Sequence, residues 1–83
     1  MPDETYWTNK ATENLVGKKI VATRYMTDEE MSSMLWYNKP IILILDDGSL
    51  IYPSRDDEGN GAGALFGQDK EGNDITLPVL PVL

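Results

Sequence analysis

Ile41-Ile42-Leu43-Ile44-Leu45-Asp46-Asp47-Gly48-Ser49-Leu50-Ile51-Tyr52-Pro53 is the stretch that decides the fold. Its first five residues are apolar without interruption, which suits a strand covered on both faces rather than one alternating between core and water. Asp47-Gly48 supplies the residue types that a tight hairpin turn needs where its central residues take positive φ. Leu50-Ile51-Tyr52 returns as the partner strand. Pro53 lacks a backbone donor, so it ends that strand's pairing or places it at an edge. A β-hairpin is the expected centre of the domain.

Upstream lies a helix start. Thr27 has the side chain of an N-cap, and Glu30 is spaced to reach back to the Thr27 backbone N–H, completing a capping box. Met26 and Met31 hold the positions of a hydrophobic staple, while Asp28, Glu29 and Glu30 put negative charge in the first turn, where the helix dipole favours it. Met31, Met34 and Leu35 give one apolar face, and Asn38-Lys39-Pro40 sets a stop near Trp36 or Tyr37. Before this helix, Lys18 to Tyr25 is rich in β-branched and aromatic residues and reads as a strand. Residues 1–14 are polar and without an evident period, so they are expected to form a loose N-terminal arm ahead of a single domain over 15–83. Within the arm, Tyr6 and Trp7 form an adjacent aromatic pair suited to dock on the domain's own core or on a partner.

Downstream, Ala64-Leu65-Phe66 and Ile75-Thr76-Leu77 are short strands separated by a turn at Asp69–Asp74. The tail from Leu77 to Leu83 is apolar, and Pro78 and Pro81 keep it extended but unable to pair fully. Their spacing also permits a polyproline stretch of the kind that recognition modules bind. The expected fold is mainly β within the α+β class. It is a small antiparallel, partly open SH3-like β-barrel of about five strands, with one short helix between strands 1 and 2. An open sheet with the helix across one face is the alternative.

Composition narrows the chemistry. The 83-residue chain has no Cys and no His, which removes thiol nucleophiles, disulfides, ordinary zinc sites and imidazole catalysis together. Its net charge of −7 disfavours nucleic acid and anionic lipid as partners. The N-terminal residues lack a signal-peptide pattern, and no apolar run is long enough for a membrane span, so a cytoplasmic location is expected.

The acidic, glycine-rich stretch from Ser54 to Gly67 is the one segment that resembles a site. Asp56, Glu58, Asn60 and Gly61 fit the first positions of a calcium loop, with oxygen ligands on alternate residues before a turning glycine. Gly67 stands where the bidentate glutamate belongs, and no helical pattern flanks the loop. Gly59, Gly61 and Gly63 suggest an anion nest, but no following helix or P-loop lysine accompanies them, and the adjacent acids would repel phosphate. Five carboxylates, Asp46, Asp47, Asp56, Asp57 and Glu58, are the only candidates for acid–base work. All of them fall in expected turns, where solvent leaves a carboxylate unperturbed. No catalytic residue and no cofactor is expected.

The segment Asp46 to Gly67, preceded by Met26-Thr27-Asp28-Glu29-Glu30 and Trp36, resembles a pattern in short proteins of bacteria and their phages that carry no assigned function. The resemblance covers Gly17 to Gly67 and implies a single compact domain, with no activity or site residue. The chain is thus expected to be a non-enzymatic protein–protein interaction module. Its candidate contact residues are Tyr6, Trp7, Arg55, Asp56, Asp57 and Glu58, and self-association through the tail or a sheet edge is compatible with it. The alternative is a calcium- or magnesium-binding loop using Asp56, Glu58 and Asn60.

Overall fold

The structure is a computed structural model that describes residues 3–54 and 62–81. In chain order it comprises α1 (Glu4–Leu15), β1 (Ile20–Tyr25), α2 (Asp28–Met34), β2 (Ile41–Leu45), β3 (Leu50–Pro53), β4 (Leu65–Gln68) and β5 (Asp74–Leu77). The five strands form one antiparallel sheet in which each strand pairs with its sequence neighbour. The sheet is open, with β1 and β5 as its two edges.

The segment expected to be a loose arm is instead helical from Glu4 onward. Asp3 caps it by accepting the Tyr6 N–H at 3.0 Å. Trp7, Ala11 and Leu15 recur at helical spacing and are its less exposed apolar residues. They form a thin stripe among threonines and asparagines of weak helix propensity, so the period is easily missed. Helix α1 touches the sheet along β5.

In β2, all five residues are buried or half-buried, as a strand covered on both faces requires. Its turn differs from the expected two-residue form. The Gly48 N–H donates to the Leu45 carbonyl, and the Leu45 N–H to that of Ser49, closing a three-residue loop in which only Gly48 has positive φ. The reason lies in Asp47, whose carboxylate accepts both the N–H and the hydroxyl of Ser49 and keeps its own backbone right-handed. Lys18 binds the other oxygen at 2.7 Å. These bonds hold the Asp47 carboxyl well below the usual range, Lys18 contributing most. Asp69-Lys70-Glu71-Gly72-Asn73 repeats the geometry between β4 and β5, with Gly72 at positive φ and Asp69 accepting from Glu71 and Asn73.

β3 ends at the exposed Pro53, as expected, but it is an internal strand rather than an edge, and Pro53 still pairs with Leu65 of β4. The ladder with β2 runs only to Ile51. The missing donor of Pro53 therefore faces a position where β2 asks for none.

Helix α2 forms as its sequence predicts. Thr27 accepts the Glu30 N–H, Glu30 accepts the Thr27 N–H, and Met26 is buried before the cap. Glu30 also forms a two-pronged pair with Arg24 of β1, at 2.8 and 3.1 Å, tying the helix to the sheet. Arg24 and the Thr27 backbone lower the Glu30 pKa to about 2. The folded chain thus holds this proton less readily than the unfolded one. Stability from the pair is complete above the ordinary carboxylate value of 4.5 and is lost as pH falls from there toward about 2. Glu30→Gln should flatten the decline of melting temperature across that window, measured by circular dichroism against the parent. At neutral pH it should cost up to about 1 kcal/mol through the lost Arg24 ion pair, since a Gln carbonyl can still accept the Thr27 N–H.

Candidate functional site: an aromatic cleft beside the first strand

Helix α2 ends in an unusual way. The Trp36 N–H donates to the Met31 carbonyl and the Leu35 N–H to that of Ser32, the paired bonds of a Schellman motif. The residue that must turn left-handed in such a motif is normally glycine. Here it is Leu35, at φ 59°, the one non-glycine residue of positive φ among the described residues. A side chain at this conformation costs about 1 kcal/mol, and packing would ordinarily offset it. Leu35 is 82 % exposed, so the folded domain gains little from it.

The turn throws two neighbouring aromatics in opposite directions. Trp36 points inward, stacked on Phe66 at 6.3 Å between ring centroids and edge-on to Tyr52 at 6.0 Å. Tyr52 and Phe66 meet edge-on in turn, and the Tyr52 hydroxyl approaches the Met34 sulfur at 3.6 Å. Burial, with Asp74 and Glu30 nearby, pushes the Tyr52 phenol up from its ordinary value. Tyr37 points outward and is 95 % exposed. Lys39 reaches back to Asp28 at 2.9 Å. Between this turn, the end of β1 and the end of β3 lies a cleft of about 600 Å³, walled by Tyr25, Leu35, Trp36, Tyr37, Pro40 and Pro53 among others. Tyr25 is 64 % exposed. Apolar rings and proline faces dominate the cleft, with Asn38, Lys39 and Ser54 also on its lining, and they suit it to hold an apolar segment.

A second, smaller cavity of about 360 Å³ lies between α2 and the sheet, where Met26, Met34, Ile42, Leu50, Tyr52 and Phe66 meet Glu30 and Asp74. Of its two ionic side chains, Glu30 is already committed to Arg24.

Of the residues that the sequence singled out, Tyr6 and Trp7 lie on α1, their rings edge-on at 5.0 Å, and do not line the cleft. Arg55, Asp56, Asp57, Glu58 and Asn60 lie outside the described residues, and with them the calcium-loop and acidic-contact expectations. Among the described residues, no group of three or more acidic side chains is arranged to hold a metal ion. No helix among them is long and apolar enough to cross a membrane. The cleft was not anticipated. Its signal was present in Trp36-Tyr37 beside Asn38-Lys39-Pro40: two adjacent aromatics at a helix end cannot both face one core, and no glycine was available for the left-handed turn.

Comparison with family models, curated proteins and solved structures finds no match to the chain.

Proposed function

We propose that this domain is a non-enzymatic protein–protein interaction module that seats an apolar segment of its partner in the cleft between β1 and the turn after α2. The observation that carries the reading is Leu35. A leucine held left-handed and left in solvent is a local cost that the isolated fold does not recover, and such costs concentrate where a surface is used. Tyr25 and Tyr37 extend the same patch with amphipathic rings of the kind enriched at binding hot spots. The SH3-like outline and the cytoplasmic location expected from the sequence belong to this proposal. Five short antiparallel strands with a helix between the first two are in keeping with the former, although the sheet stays open at β1 and β5, and the absence of cysteine supports the latter.

The test uses stability and binding together. Leu35→Gly should stabilise the fold by about 0.5–1 kcal/mol, read from denaturant melts, because glycine takes the left-handed cap without strain. With a photo-crosslinking amino acid at Tyr37, cells should yield discrete adducts to another protein. Leu35→Gly should diminish them, and a crosslinker at exposed Ser32 should give none. If Tyr37 gives no adduct beyond background, the cleft is not a binding site.

A further inference from the structure

The two edges of the sheet are guarded unequally. Along β5 lies α1, and Pro78 and Pro81 follow that strand, so another chain finds little to pair with there. Among the described residues nothing comparable lies along β1, where five of six residues are exposed. The Met26 N–H donates inward to the Pro40 carbonyl, so by ladder alternation Ala22 and Arg24 bond to β2, while Thr23 and Tyr25 aim their backbone groups at the open side. A bulge between Ile20 and Ala22 shortens this edge without closing it.

We propose that a second copy of this chain pairs antiparallel along the β1 edge, about a two-fold axis at Thr23. The sequence is self-complementary about that residue. Tyr25 stands two positions after Thr23 and Val21 two before it; Val21 is the extra residue of the bulge, with no partner in β2, and the partner's Tyr25 ring would lie across it. Val21 is 60 % exposed in the single chain and gains cover by this pairing. Charge agrees. Lys18 and Lys19 enter the strand, while Asp28 and Glu29 follow it at the first turn of α2, so antiparallel pairing sets a basic end against an acidic one, twice over. Lys18 is already held by Asp47 and Asp28 by Lys39, which makes exposed Lys19 and Glu29 the charges that matter. Pairing would also cover the apolar residues exposed on the strand itself, Ile20, Val21 and Tyr25, while Leu35 and Tyr37 stay with the cleft.

This inference goes beyond the cleft reading, and the two fail separately. A monomer that still gives Tyr37 adducts to another protein sinks only the pairing, and a dimer without such adducts sinks only the cleft. The decisive variant is Thr23→Cys, which introduces the sole thiol of the chain. Pairing places the two thiols at an effective concentration on the order of mM, so a covalent dimer should form at least about tenfold faster than with Thr76→Cys on β5. Lys19→Glu should weaken the association in sedimentation. Val21→Lys with Tyr25→Lys should give a monomer whose circular dichroism matches the parent. A parent chain still monomeric near 1 mM, or equal oxidation of the two cysteine variants, would overturn the proposal.

Discussion

Gly67→Ala should lower the melting temperature by about 15–25 °C, the largest effect expected of a single methyl group in this domain. Gly67 is buried in β4, paired with Ile51 on one side and Ile75 on the other. A Cβ built there would fall within the radius of the Leu50 backbone carbonyl oxygen and would also crowd Ile51. Side chains can rotate away from an intruding methyl, but a strand carbonyl can do so only if the ladder opens. The cost is set by the β3–β4 pairing itself, at about 3–4 kcal/mol, against a total of roughly 4–12 kcal/mol for a domain of this length. Gly72→Ala provides the contrast. Gly72 has φ +88° with no atom within 4 Å of an added Cβ, so only the conformational strain of about 1 kcal/mol applies. Thermal melts of the two variants side by side separate backbone crowding from turn conformation.

Trp36→Ala should cost about 2–4 kcal/mol, and it tests both the core and the cleft. The indole stacks on Phe66 and meets Tyr52 edge-on, closing one side of the sheet just past α2. Removing it takes away these contacts and leaves a void that Met34 and Tyr52 can fill only in part. The near-ultraviolet dichroism of the Tyr52–Phe66 cluster should collapse, while far-ultraviolet signal at low temperature is largely kept. Trp36→Phe retains a ring and should recover more than half of the loss. An effect below about 1 kcal/mol would mean that the aromatic cluster contributes little beyond its surface cover.

The fold was legible where short-range chemistry dictates it. The Thr27–Glu30 capping box and the buried strand Ile41–Leu45 each follow from residues close in sequence, and each forms. What escaped depended on longer reach. Helix α1 rests on Trp7, Ala11 and Leu15, one small residue between two large ones, and its packing partner β5 lies some sixty residues onward. The turn after β2 was mistaken in type because Asp47 is fixed by Lys18 and Ser49 and so never takes positive φ. The cleft escaped for a related reason. Its walls, Tyr25, Leu35, Tyr37 and Pro53, come from three separate places and are joined only by the sheet register and by a left-handed leucine where glycine is the usual residue. The acidic stretch drew attention through composition, which reports what residues are able to do rather than where the backbone takes them.

The strand order carries a kinetic consequence. Because every strand pairs only with its neighbour in the chain, the sheet assembles by successive short closures and never waits for distant ends to meet. The turns at Asp46–Gly48 and Lys70–Gly72 should close first, each on the microsecond scale of an isolated hairpin. The span from Pro53 to Leu65 is then the joint between two preformed halves, β2–β3 and β4–β5. Lengthening that joint should slow folding only in proportion to the logarithm of its length, leaving the two halves intact.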